Sequence, residues 1–224
     1  LAEIENKTYG TCLATGKPRM FWPAGTSNWN AVCQSGVTGA ALALIDSRER
    51  RAVFAAAADR LIKHFLAGFT PDGYCSEGLS YWNYGFGHFV LLAETMHQAT
   101  GGQVDWFDDP HVRQVAQFGH RLAILPGVCP AFADCGVNAQ PEVRIEAFVS
   151  RRYGFGWAEQ EHRGLLLASG RTNELFSLGA LGFPNSASQR PAASGQPAQP
   201  LRDWFADAGI LICRPASAGH VLGA

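Results

Sequence analysis

No run of about 18 consecutive apolar residues occurs in this chain, so it lacks the signature of a membrane-spanning helix. Charge is scarce: Asp, Glu, Lys and Arg make up 17% of 224 residues, with a formal net charge of −1. That balance leaves no basic field to hold nucleic acid or an anionic membrane surface. It does not exclude an acidic substrate, which local basic residues in a cleft can meet. None of the six cysteines falls in a Cys-x-x-Cys pair, which argues against a zinc ribbon. Cys129 and Cys135 flank a short loop and could pair in an oxidising compartment, but buried free thiols are the favoured reading for most of the six. Neither a metal-ligand set nor a cofactor motif is read. No secretory leader is visible, and the chain opens on Leu1, which leaves preceding sequence open.

What is present is enough apolar material, 47% of residues, for a substantial core in one or two domains. The dominant pattern is a succession of helices. Val37 to Ile45 is rich in Ala and Leu. A second helix is predicted from Ser47 or Arg48 to about Ala67, with Val53, Leu61 and Phe65 at helical spacing. Gly68 suits its end, and Thr70-Pro71-Asp72-Gly73 reads as a turn. Helical character returns from near Tyr81 to Met96 and stops at Thr100-Gly101-Gly102. Asp109-Pro110 is a start signal for a helix reaching about Leu125. Further helices are predicted over about Pro141 to Arg152 and Ala158 to Ala168.

Pro184 to Pro200 is rich in Pro, Ser, Ala and Gln and reads as a linker or exposed loop. Ile210 to Cys213, between a Gly and a Pro, suits a buried strand. A lone strand cannot satisfy its own backbone. The expected organisation is therefore a helical domain over 1–183, a linker over 184–200 and the start of a β-domain over 201–224.

Two stretches carry the chemistry. Gly78 to Phe89, GLSYWNYGFGHF, crowds aromatics, an Asn, a His and three glycines into twelve residues. The glycines cost helix stability and point to close backbone approach. Gly25 to Leu44, GTSNWNAVCQSGVTGAALAL, echoes it: each runs Ser, a polar residue, then Trp-Asn, so Asn28 and Tyr81 occupy matching places. Such an echo suits paired helices arranged as an α/α toroid.

Together these two motifs resemble those of the heparinase II/III-like polysaccharide lyases, and WFADAGILICRP (204–215) resembles the first strand of that family's β-sandwich. The resemblance implies a mainly helical fold, an incomplete (α/α) toroid followed by an antiparallel sandwich. It implies β-elimination on a uronic-acid polysaccharide such as alginate or a glycosaminoglycan, with no cofactor and a periplasmic or secreted location. Asn28 matches the family's carboxylate-neutralising Asn, and Tyr81 its catalytic Tyr. The residue types suit the reaction. Removing the proton on C5 of a uronate requires a donor that neutralises the neighbouring carboxylate, a base for that proton and an acid for the leaving oxygen. A phenol with an unperturbed pKa of about 10 is better suited to the acid role than to the base role.

Around this pair, Trp29, Trp82 and Tyr84 are candidate walls of a sugar cleft, since aromatic faces pack on sugar rings. Asn30, Glu77 and Asp134 are further candidate substrate contacts, as is His88, for which a structural role is the favoured reading. Each has a plainer reading as well: a helix cap for Asn28 or Asn30, core packing for the aromatics, a turn for Glu77, a loop for Asp134. Arg144, Arg151, Arg152 and Arg163 are anion contacts only if they leave their default solvated helix faces. The family's further catalytic His, from the sandwich, has no counterpart here: His220 lies in no matching context. The chain alone is therefore expected to be catalytically weak. Two rivals stand beside the lyase: a glycoside hydrolase on the same architecture, which needs two flanking carboxylates, and a non-catalytic carbohydrate-binding module.

Overall fold

The computed structural model describes residues 1–17, 20–157, 159–162 and 199–216. Most of the predicted linker, the helix predicted beyond residue 162, Arg163 and His220 to Ala224 lie outside them. The chain is mainly helical, with one small antiparallel sheet near its C-terminus. No helix among the described residues is long and apolar enough to cross a membrane. The residues divide into two compact units.

The first unit comprises Leu1–Phe69 and Tyr84–Asp109. A π-helical stretch, Ile4–Gly10, runs into α1 (Thr11–Thr15), which Gly16 ends at φ 69°. A 3₁₀ turn at Trp22–Ala24 leads to α2 (Asn28–Leu44). α3 (Arg48–Leu66) follows after three residues, close to the predicted bounds. Its start is set by Ser47, whose hydroxyl accepts the Arg50 N–H at 3.2 Å, an N-cap worth about 1 kcal/mol. α2 packs on α3 and on α5 (Gly87–Ala99). One part of the core gathers Tyr9, Trp22, Phe54 and Leu61. Another stacks Phe86 on Phe89 at 5.5 Å and Phe89 on Trp106 at 6.0 Å, while the Trp106 indole N–H donates to Asp59.

The inward face of α2 is not wholly apolar. Asn30, Gln34 and Thr38, spaced one turn apart, are each 0% exposed. Asn30 Nδ2 donates to the carbonyls of Pro23 and Leu61, and Gln34 Oε1 accepts from the Tyr9 hydroxyl at 2.6 Å.

The second unit comprises Thr70–Asn83 and the described residues from Pro110 onward. Thr70 to Gly73 forms the predicted turn, the Gly73 N–H donating to the Thr70 carbonyl at 2.8 Å. α4 is short (Leu79–Tyr81) and continues into a π-helical turn, Trp82–Phe86, that leads on to α5. The single helix expected after Pro110 is two, α6 (Pro110–Ala116) and α7 (Phe118–Leu122). α8 (Val143–Tyr153) starts where Glu142 accepts the Arg144 N–H and ends at Gly154.

The predicted strand is present as β2 (Ile210–Cys213), but it has a partner that the pattern did not announce. β1 (Arg202–Phe205) pairs with it antiparallel, Arg202 opposite Cys213 and Phe205 opposite Ile210. β1 begins with a charged Arg-Asp pair, so apolar content could not mark it. Phe205 enters a core of Tyr74, Phe118 and Trp82. Two arginines fasten the hairpin. Arg121 contacts Asp203 at 3.0 Å and lies over the Phe205 ring. Arg214 contacts Asp203 at 2.7 Å and donates to the carbonyls of Arg121 and Ala123. All six cysteines are free thiols, including Cys129 and Cys135.

Candidate functional site

α2 presents an open N-terminus. Ser27 occupies the N-cap position in extended conformation, but its side chain makes no capping bond. The Asn30 N–H turns back to the Ser27 carbonyl at 3.1 Å. The first-turn N–H groups before it have no intrahelical acceptor, so the partial positive charge of the 17-residue helix is uncapped there. Asn28 is the first residue of that turn. It is 7% exposed, and its amide takes no hydrogen-bond partner among the described residues. Beside it the backbone of Gly85 comes close enough that a Cβ there would stand 3.1 Å from the Asn28 Cβ. The expected close approach of a motif glycine is thus observed, and it sets the position of Asn28.

Next to Asn28, Trp29 is 55% exposed, and its ring meets that of Phe21, 69% exposed, edge to face at 5.8 Å. A pair of large aromatics left in water beside an unpartnered amide is a surface suited to a sugar ring. Tyr84 is also exposed. Its carbonyl engages Nδ1 of His88 at 2.7 Å, and the two rings meet at 4.9 Å. His88 is buried, in keeping with the structural role favoured for it.

Two candidates are corrected by their surroundings. Asn30 is 0% exposed, with its Nδ2 spent on two backbone carbonyls. Trp82 is 0% exposed, its indole N–H donates to the Val115 carbonyl at 2.9 Å, and its ring lies against Gly119. Neither has surface with which to meet a ligand. The sequence echo therefore does not carry over into environment, since Trp29 is in water and Trp82 is in the core.

No protein-family model and no curated protein matches this chain.

In the second unit, Tyr81 is half-buried at the end of α4. Gly78, just before α4, has φ 89°, and a Cβ there would stand 2.4 Å from the Phe132 carbonyl oxygen. Ser80 Oγ reaches the Cys135 sulfur at 3.5 Å. The loop bearing Asp134 is thereby laid against the segment that carries Glu77 and Tyr81. Asp134 itself is exposed and Glu77 half-buried. Arg144 is engaged by Glu142 at 2.7 Å, so the default reading of a solvated face does not hold for it.

Sequence reasoning passed over two residues. Phe21 could have been found, because Phe21-Trp22 stands two residues before the first motif. Asn83 lies inside the second motif, but the pattern did not announce its role. Its side chain donates to the Gln140 carbonyl at 2.8 Å and accepts the Glu142 N–H at 2.7 Å, clasping the chain at the entry to α8.

Proposed function

We propose that this chain is the helical part of a polysaccharide lyase, an incomplete α/α toroid, acting by β-elimination on a uronic-acid polymer. The observation that carries the reading is Asn28, whose amide takes no partner among the described residues and stands on the first turn of an uncapped helix. A uronate carboxylate is an anion that this arrangement suits. The amide offers two N–H donors, and a helix N-terminus favours negative charge by about 0.3–1 kcal/mol when exposed.

In this reading Asn28 neutralises the carboxylate, so that the C5 proton becomes acidic enough to leave. The electron pair of the C–H bond forms the C4=C5 double bond as the C4–O bond breaks. The C5 proton passes to Tyr81 as phenolate, or to a base outside the described residues, and Tyr81 delivers a proton to the departing oxygen. Trp29 and Phe21 stack on a sugar ring. The substrate class suits a periplasmic or secreted protein.

The exposed Trp29–Phe21 pair favours a second reading, in which the same polymers are bound and not cleaved. One experiment separates the readings. Binding of alginate and glycosaminoglycan oligomers is measured by calorimetry, and turnover by the ultraviolet absorbance of an unsaturated uronate, in protein carrying its native flanking sequence. The lyase reading expects an unsaturated product that disappears in Tyr81→Phe. Binding without product in any form supports the module. New reducing ends without that absorbance would indicate hydrolysis and overturn the lyase.

A further inference from the structure

The second unit holds a pocket of about 810 Å³, within the range of about 300–1,000 Å³ common for small-molecule sites. Its chemistry is the opposite of that at Asn28. Among its walls, His120 Nδ1 stands 3.7 Å from Oε1 of Glu146, whose side chain is 8% exposed. The His120 ring is held flat on Trp157, 4.0 Å between centroids and 15° between planes. Gln199 Nε2 donates to the His120 carbonyl at 2.8 Å, and Gln140 Nε2 donates to the Gly127 carbonyl. Each of these amides commits one N–H to the backbone and keeps its oxygen as an acceptor and its second N–H as a donor. Gln160 also lines the pocket, and its Oε1 is buried without a hydrogen-bond partner. Glu159 adds a second carboxylate, and neither Lys nor Arg occurs among the described lining residues.

The described walls therefore carry two carboxylates and the unpaired Gln160 oxygen with no cation to balance them. A buried acceptor left unpaired is costly, so the fitting ligand is rich in donors and is not an anion. We propose that this pocket binds a protonated amine carried on a hydroxylated small molecule, of the amino-sugar class. The ammonium brings three N–H donors and a positive charge to Glu146 and Gln160. Hydroxyl donors suit the oxygens of Gln140 and Gln199, and Leu125 and Pro126 offer apolar surface to a ring face.

The test is calorimetry on the 224-residue chain with three probes of one ring size: glucosamine, glucose and glucuronate. Glucosamine is expected to bind about tenfold or more tighter than glucose, as a charge-assisted hydrogen bond allows, and glucuronate not at all. Glu146→Gln is expected to weaken glucosamine binding about tenfold. If a thermal melt shows that variant unfolded, the exposed Glu159→Gln serves instead, with several-fold weaker glucosamine binding expected in protein shown folded by the same melt. Equal affinity for glucosamine and glucose, preference for glucuronate, or no binding of any probe would overturn the proposal. None of these results bears on uronate binding at Asn28, which is read with a different probe.

Discussion

A side chain on Gly85 would stand 3.1 Å from the Cβ of Asn28, 3.3 Å from its Cα and 3.1 Å from the Phe65 ring. The absence of a Cβ at one position thus lets the first turn of α2 sit where it does, with the Asn28 amide unpaired.

Removing that amide tests its assignment. Asn28→Ala is expected to weaken oligouronate binding about tenfold or more, since a hydrogen bond to a charged group contributes about 1.5–3 kcal/mol. It should leave the thermal midpoint nearly unchanged, because no internal partner among the described residues is lost. A large fall in midpoint with unchanged binding would make Asn28 a structural residue.

Gly85→Ala acts on the same place through packing. Overfilling a tight site costs about 1–3 kcal/mol, so the urea midpoint should fall, and oligouronate binding should weaken along with it. Gly36→Ala, where a Cβ meets nothing within 4 Å, is the control expected to do neither.

Arg214 fastens the hairpin through Asp203 and the backbone carbonyls of α7, with its side chain only 6% exposed. Arg214→Ala leaves the Asp203 carboxylate with Arg121 alone, and losing a hydrogen bond to a charged group costs about 1.5–3 kcal/mol. Hydrogen exchange should show β1 and β2 amides losing protection first.

Glu142 titrates with a sign that can be checked. Burial pushes its carboxyl up, but hydrogen bonds from the Arg144 side chain and backbone outweigh this and hold it below its ordinary 4.5. A depressed carboxyl stabilises the fold above its unfolded value and loses that contribution as pH falls through the folded one. The stability gap between wild type and Glu142→Gln, from urea titrations, should persist above pH 4.5 and close below it.

The thiols should separate by rate. Burial pushes Cys75 up to about 12 and Cys129 up to about 11, whereas Cys213 is exposed. Under native conditions at neutral pH a thiol reagent should label Cys213 first and leave Cys75 and Cys129 until unfolding, as mass mapping of the labelled peptides can show.

Helices with a local start signal were legible in the sequence. Ser47 before α3 and the Asp-Pro before α6 mark their helices because a cap is a property of neighbouring residues. β1 was not legible, because its Asp203 is answered by Arg121, 82 residues away, and by Arg214 beyond the partner strand. The break between α6 and α7 had no breaker residue to announce it. At the candidate site, the side-chain types in the two motifs pointed to a sugar, and Asn28, Trp29 and Tyr84 keep surface or bonding capacity consistent with that. Which Trp of the two motifs meets water was beyond the pattern. Trp82 is drawn inward by Val115 and Gly119, contacts that no spacing rule contains.

The row Asn30, Gln34 and Thr38 bears on how this protein could change over time. An apolar interior accepts many interchangeable neighbours, but a polar one accepts only those that answer it, as the Tyr9 hydroxyl and the carbonyls of Pro23 and Leu61 do here. The two carbonyls are backbone groups that any residue supplies, whereas Tyr9 answers with its side chain, so drift at Tyr9 should be tolerated only when Gln34 changes in step.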